Sequence, residues 1–352
     1  NYIGTDVTGT HMLGNKQSGV FVSGSGAYKN VIGGTTEAER NVIAGNARTE
    51  VSIMSQANGN RVTGNYIGTD ASGRTSLGNV TMAGLSIELG GFNNIIERNV
   101  ISNENRRGVT ISDWGSWYNE VVGNFIGVDA TGTTSLGGTG DGISVNASFN
   151  KIGGVTPGER NIISGNGGQG IKIGLWGTID VVVIGNYIGT DVTGTKAIGN
   201  GLGIAIMEGG THHTFIGGTT QGERNIISGN RGSGIVVQGI GNDYNFIIGN
   251  FIGPDANSAY PLPNSSSGVE INAGDHNFVQ ANIIAYNEMD GIAIKAGAYN
   301  RVHHNRLIEN GKKMNGSDRG NNNCWDNGKQ GNYWSDYKGK DRLRPITGEN
   351  SI

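Results

Sequence analysis

The chain has 352 residues, of which 64 are glycine and 43 are asparagine, and its formal net charge is −3. Glycine costs about 1 kcal/mol per helical position relative to alanine and asparagine favours turns, so this composition excludes an ordinary helical domain. Glycine shows no strict collagen-like period, which excludes a collagen triple helix. The single cysteine, Cys324, excludes an intrachain disulfide, and no run of about 18 apolar residues predicts a membrane span.

A hexapeptide pattern, Asn-aromatic-Ile-Gly-x-Asp, opens the chain and returns every 59 to 64 residues, with copies starting at Asn1, Asn65, Asn124, Asn186 and Asn250. We expect its final aspartate to form an Asx turn, and Thr/Ser-Gly follows it two residues later in every copy but the last; these residues are Asp6, Asp70, Asp129, Asp191 and Asp255. A second pattern, Glu-Arg-Asn, lies between the copies and starts at Glu39, Glu97, Glu159 and Glu223. It is expected to form local ion pairs and caps.

Short apolar runs fill the intervals between these patterns. A small residue followed by apolar-x-apolar predicts ten strands, the first at Val20-Phe21-Val22 and the last at Ile292-Ala293-Ile294. Each interval holds two further short strands that end at Gly-Asn or Gly-Gly, and the asparagines at these corners are expected to stack as an amide ladder. Three short strands per turn predict an all-β fold, a single parallel β-helix solenoid of about ten coils.

The pattern changes near residue 300. Residues 301–345 contain ten Lys/Arg and five Asp/Glu, and Trp325 and Trp334 lie among them. A solenoid needs an atypical unit to cover its last open coil. We therefore expect a parallel β-helix over 1–300 and a terminal coil with an aromatic and basic C-terminal cap over 301–352.

The repeats, together with the ending Gly331-Asn332-Tyr333-Trp334-Ser335-Asp336-Tyr337, resemble right-handed parallel β-helix repeat proteins of the CASH (carbohydrate-binding and sugar hydrolase)/NosD-like type. The resemblance covers nearly the whole chain and implies the fold. It implies no catalytic residue, because the shared residues belong to corners and core, and this scaffold serves lyases, hydrolases, epimerases and inert adhesin stalks.

Candidate functional residues interrupt the glycine and asparagine background on five consecutive predicted coils. Glycoside hydrolysis needs two carboxyl groups at a defined separation, and Glu88 and Asp113 lie on adjacent coils. Lys172 and Glu208 complete the predicted catalytic set, Lys172 as a cation for a substrate carboxylate. The predicted substrate-binding residues carry rings or amides that suit sugars: Trp114, Trp117, Tyr118, Asn146, Trp176, His212 and His213.

The sequence thus predicts an extracellular protein that binds polysaccharide and degrades it as a glycoside hydrolase or lyase, with polysaccharide epimerase also open. One alternative is a non-catalytic cell-surface adhesin module. Another is a NosD-like metal-handling accessory protein, with His303, His304 and Cys324 as candidate ligands. No cofactor is expected, and calcium on the repeated aspartates is the open alternative.

We expect a monomer whose partner is a polysaccharide, without nucleic-acid binding or membrane insertion. The chain opens inside a repeat unit, at Asn1-Tyr2-Ile3-Gly4-Thr5-Asp6. The expected location is therefore secreted or cell-surface, with an export signal upstream of this chain.

Overall fold

The computed structural model describes residues 1–77, 83–102, 106–175, 177–311 and 314–336. Their strands form three parallel sheets of 12, 11 and 10 strands. Sheet 1 contains Tyr2–Ile3, Val42–Ile43, Tyr66–Ile67, Val100–Ile101, Phe125–Ile126, Ile162–Ile163, Tyr187–Ile188, Ile226–Ile227, Phe251–Ile252, Ile283–Ala285, Arg306–Ile308 and Tyr333–Trp334. Sheet 2 contains Val20–Ser23, Thr49–Met54, Ala83–Glu88, Arg107–Ile111, Asp141–Val145, Gln169–Ile173, Leu202–Ile206, Ile235–Gln238, Val269–Asn272, Ile292–Ala296 and Gly316–Asp318. Sheet 3 contains Val31–Gly33, Arg61–Thr63, Ile95–Glu97, Glu120–Val122, Lys151–Ile152, Val182–Val183, Phe215–Gly217, Phe246–Ile248, Phe278–Gln280 and Arg301–His303.

Each coil contributes one strand to each sheet, in the order sheet 1, sheet 2, sheet 3. Coil 1 begins at Tyr2, and the described residues form ten complete three-strand coils before the last strands of sheets 1 and 2. The predicted single parallel β-helix is confirmed. Two short 3-10 helices, Glu37–Glu39 and Pro157–Glu159, interrupt corners of the coils. Nowhere in the described ranges is there a helix of the length and apolarity that a membrane crossing requires.

The core consists of aliphatic columns that run along the rod. Neighbouring coils pair in register, as in Ile143 with Ile171 and Ile171 with Ile204, and all three side chains are completely buried. Each such side chain contributes about 1.5–3 kcal/mol through burial. At the C-terminal end the rings of Trp325 and Trp334 join this core with centroids 5.5 Å apart. The sheets continue past residue 300, and the division into rod and cap stays a prediction.

Asparagine side chains form amide ladders at the corners, as predicted. Asn186 shows the arrangement: its Nδ2 donates to the Ile152 and Ile184 carbonyls and to Oδ1 of Asn225, the next rung. The ladder before sheet 1 runs through Asn1, Asn41, Asn65, Asn99, Asn124, Asn161, Asn186, Asn225, Asn250, Asn282, Asn305 and Asn332. Each buried amide is thereby satisfied at a corner where the backbone leaves the sheet pattern.

The repeated aspartates form the expected Asx turns. Oδ1 of Asp129 accepts backbone N–H groups of Thr133 and Thr134 at 3.1 Å, and the Thr131 hydroxyl donates to the same carboxylate. The turns also bond to one another every second coil, since the Val192 N–H donates to the Gly132 carbonyl. They act as local structure and carry a stacked ridge along the rod.

In three of the four Glu-Arg-Asn motifs the glutamate caps a turn, as expected, and in the fourth Glu97 forms an ion pair with Arg61 of the preceding coil at 2.6 Å. Glu39 accepts hydrogen bonds from the backbone and hydroxyl of Thr36, and Glu159 does the same for Thr156. The neighbouring arginine turns away to an aromatic ring of the next coil. Arg40 lies 4.2 Å from the ring centroid of Tyr66, and Arg160 and Arg224 lie 4.1 and 4.0 Å from theirs.

Candidate functional site

A cleft of about 330 Å³ lies on the outer face of sheet 2 over coils 1 to 3. Period-2 alternation turns the side chain between two core residues outward, and in coil 1 that residue is Phe21, which is 61 % exposed. Arg48, Met54 and Glu88 line the cleft with it, and small hydroxyl residues such as Ser52 form its floor. Because the side chains at the bottom of the cleft are smaller than those at its sides, the surface is depressed there.

Glu88 ends its strand at the edge of this cleft and is half-buried. Burial raises the pKa of its carboxyl, and the nearby Asp113 carboxylate raises it further, while Arg48 acts in the opposite direction. A carboxyl group that holds its proton to higher pH is suited to proton donation. Glu88 and Asp113, which lie on adjacent coils as predicted, are therefore close enough for the charge of one to change the pKa of the other.

Asp113 and Trp114 begin the loop that follows the next strand of sheet 2. Asp113 has φ 72°, and its Oδ2 accepts the backbone N–H of Leu89 at 3.2 Å. Trp114 is 86 % exposed and packs edge-on against Trp117, with ring centroids 5.1 Å apart. Its open indole face is available to the apolar face of a sugar ring.

Trp117 and Tyr118 are anchored rather than free. Trp117 meets the Phe149 ring edge-on at 5.9 Å, and Tyr118 stacks on the same ring at 5.5 Å. Both rings therefore support the loop, while Trp114 is the one that projects. Trp176, the fourth predicted ring, lies outside the described residues.

Lys172 and Glu208 lie on coils 6 and 7 and bind each other, with Nζ 2.5 Å from Oε1. Three coils separate Lys172 from Glu88, a distance of about 14 Å along the rod. The structure thus brings these two predicted catalytic residues together as a pair of their own. Asn146, on the same face in coil 5, is half-buried, and its Oδ1 has no hydrogen-bond partner among the described residues.

His212 and His213 lie at a corner before sheet 3, where His213 enters an aromatic stack. The stack continues through Tyr244, His276 and Tyr299, with successive ring centroids 5.9, 4.8 and 5.1 Å apart. Tyr244, His276 and Tyr299 stack face to face, and His213 lies against Tyr244 with an angle of 36° between the ring planes. This geometry favours a stabilising role for His213, on a different face from the cleft.

Sequence reasoning missed Phe21 and Arg48 as site residues. A bulky ring at an outward strand position, where most coils carry a small residue, was the available signal for Phe21. Arg48 lies in a loop, and its approach to Glu88 depends on how two coils stack.

Within the described residues no three His, Cys, Asp or Glu side chains are grouped to hold a metal ion. His303 and His304 contact each other directly, Nδ1 to Nδ1, at 2.7 Å, and the His304 Nε2 lies 2.6 Å from Gln330 Oε1. The Cys324 thiol donates to the Asp326 carbonyl at 3.2 Å. These contacts involve both ring nitrogens of His304, Nδ1 of His303 and the Cys324 thiol.

The chain is similar to several solved structures. The mannuronan C-5 epimerase AlgE4 A-module of Azotobacter vinelandii has a TM-score of 0.54 at 12 % identity, covering 87 % of this chain and 79 % of that one. The AlgE6 A-module of the same organism has 0.45 at 14 %, covering 92 % and 87 %. ORF18 of Geobacillus virus E2 has 0.44 at 16 %, covering 77 % and 54 %. At these identities the AlgE4 likeness shows the fold alone.

No curated protein sequence matches the chain. The family described as "Periplasmic copper-binding protein (NosD)" matches residues 156–339. This match spans more than half of the 352 residues and includes the two terminal tryptophans, Trp325 and Trp334. The chain therefore belongs to the NosD family.

Proposed function

We propose that this protein binds a polysaccharide along the outer face of sheet 2 and cleaves it, with Glu88 as a catalytic residue. The observation that carries the proposal is a half-buried carboxyl with a raised pKa, at the edge of a cleft that Phe21 and Arg48 also line. The exposed ring of Trp114 lies one coil further on, about 5 Å along the rod, and extends the surface for a chain of sugars. The AlgE4 A-module, whose fold is similar to that of this chain, is named a mannuronan C-5 epimerase.

In the proposed reaction Glu88 acts as the general acid. It donates its proton to the glycosidic oxygen as the C–O bond breaks. Asp113 either takes a proton from the water that attacks the sugar carbon, or attacks that carbon itself and forms a glycosyl ester that water then hydrolyses. Arg48 beside Glu88 offers a cation to a sugar carboxylate, which favours an acidic polysaccharide. Lys172 and Glu208, three and four coils beyond Glu88, hold the distal part of the chain.

The test is release of reducing ends from a panel of glucans, xylans, pectins and alginates. We expect turnover of at least one polymer, loss of turnover in Glu88→Gln with binding retained, and weaker binding in Trp114→Ala. Tyr260→Ala is the matched control for removing an exposed ring, because Tyr260 is 72 % exposed on a separate turn. Unchanged turnover in Glu88→Gln would rule out the assigned acid. Release from no polymer, with no shift in melting temperature on adding any of them, would favour the adhesin-type structural module.

Copper, which the family description names, is not included in the proposal. Among the described residues no third His, Cys, Asp or Glu side chain joins either histidine pair, His212–His213 or His303–His304, in a group that could hold a metal ion, so these residues fit copper poorly. Elemental analysis after dialysis checks this assignment, and stoichiometric copper would contradict it. With a polysaccharide as the ligand, we also propose that the protein lies outside the cytoplasm, either in the periplasm, as in the family description, or outside the cell.

A further inference from the structure

One copy of the Glu-Arg-Asn motif lacks the insert that precedes the others. Inserts lead into Glu39, Glu159 and Glu223, whereas the strand Ile95–Glu97 runs directly into Arg98. The same tripeptide therefore adopts two backbone conformations. Arg40 and Arg160 have φ −64° and −65°, but Arg98 has φ 54°, in the left-handed region.

The missing insert leaves a notch at the corner between sheets 3 and 1. Where inserts occur on both sides, they close over the coil between them: a Cβ on Gly185 would lie 2.0 Å from the Gly154 carbonyl oxygen and 2.8 Å from that of Gly222. At Gly64, beside the missing insert, the three nearest atoms all belong to Gly34, on one side. A cavity of about 300 Å³ remains there.

Two guanidinium groups line the notch. Arg40 lies over the Tyr66 ring and donates from Nε to the Gly64 carbonyl at 3.3 Å, which fixes the group and leaves its terminal nitrogens unused by that bond. Arg98 is exposed, and its side chain forms no hydrogen bond or ion pair with any described residue. Thr35 and Phe125 also line the cavity.

The nearby carboxylates are already engaged. Glu39 accepts two hydrogen bonds from Thr36, and Glu97 pairs with Arg61 at 2.6 Å. Among the described residues that line the cavity, Arg40 and Arg98 are the charged ones, so the lining is positive.

We infer that this notch is an anion-binding site that takes a carboxylate or phosphate group between Arg40 and Arg98. Guanidinium forks match the paired oxygens of either group, and a charge-assisted hydrogen bond is about twice as strong as a neutral one. The site lies on a different face from the sheet 2 cleft and does not depend on the proposed cleavage. The repeat supplies the scaffold, and the omitted insert supplies the opening.

The test is calorimetric titration of the full chain with inorganic phosphate and, separately, with D-galacturonate, at ionic strength held constant with NaCl. We expect saturable binding of one ion per chain, with the tighter of the two ligands identifying the source of the anionic group. Arg98→Ala should weaken it about tenfold or more. Ala281 has φ 56° at the equivalent corner, so alanine is accommodated in this backbone. Arg231→Ala, at another exposed arginine, is the control for losing one positive charge and should bind like the parent.

Saturable binding of neither probe would overturn the inference. So would equal affinities of the parent and Arg98→Ala, or equal losses in Arg98→Ala and Arg231→Ala, because these results describe non-specific attraction. Circular dichroism and melting temperature confirm that each variant is folded. The readout is affinity, so failure here leaves the polysaccharide assay unaffected.

Discussion

Replacing Glu50 with glutamine should make the protein more stable at neutral and alkaline pH. Glu50 lies directly before the first core residue of its sheet 2 strand. The other nine of the first ten coils have glycine at this position. It is 3 % exposed, and no cation pairs with it among the described residues. Its carboxyl accepts hydrogen bonds from the side chain and backbone of Asn46.

Burial raises the pKa of the Glu50 carboxyl from 4.5 to about 7, against the smaller opposing effect of the Asn46 hydrogen bonds. Below pH 4.5 the group is protonated in both the folded and the unfolded chain and costs nothing. Between 4.5 and about 7 the unfolded chain releases the proton while the folded chain retains it, so stability falls as pH rises. Above about 7 the loss is complete and amounts to about 3 kcal/mol.

Urea unfolding of the parent and Glu50→Gln between pH 4 and 9 measures the effect. The free energy of unfolding of the variant minus that of the parent should be near zero at pH 4 and rise to about 3 kcal/mol by pH 8. Glu37→Gln, at an exposed glutamate, controls for the change in net charge. A difference that does not vary with pH, or a variant less stable than the parent at pH 8, would refute the reasoning.

Three further outcomes test the architecture. Asn186→Ala removes one buried rung of the ladder and should cost about 2–4 kcal/mol in urea unfolding, whereas the exposed Asn257→Ala should change little. Gly153→Ala should destabilise by more than about 1 kcal/mol, because φ is +85° and its Cβ would lie 2.0 Å from a carbonyl oxygen, while Gly158→Ala meets open space and should be nearly neutral. Hydrogen bonds, chiefly from the Thr8 hydroxyl, lower the pKa of Asp6 to about 2. An NMR titration that follows the Asp6 carboxyl should therefore show it ionised down to about that pH. The stability that the ionised carboxylate adds should be lost as pH falls through about 2.

The repeat made the main architectural features predictable. The asparagine at each Gly-Asn corner makes the same hydrogen bonds in every coil, so the side chains of successive coils stack into a ladder. Aspartate before Thr-Gly likewise satisfies its own turn, so Asp129 needed no distant partner. The neighbouring positions of Glu88 and Asp113 followed from counting coils.

The candidate site was less predictable, because side chains on adjacent coils choose among several partners. Lys172 pairs with Glu208, and His213 stacks in an aromatic column. Arg40 prefers a ring of the next coil to the glutamate beside it, because the insert turns the two side chains apart.

The sequence by itself determined that this chain is a solenoid, since periodic strands and corners specify each coil through contacts that repeat from one coil to the next. Glycine and asparagine, the residues that dominate its composition, specify that stacking. Only the tertiary structure decided which outward residues meet across coils, that Phe21 and Arg48 share a cleft with Glu88, and that one missing insert opens a notch beside Arg98. These features depend on distances between coils, and residues 24 to 40 positions apart become neighbours only after the coils have stacked.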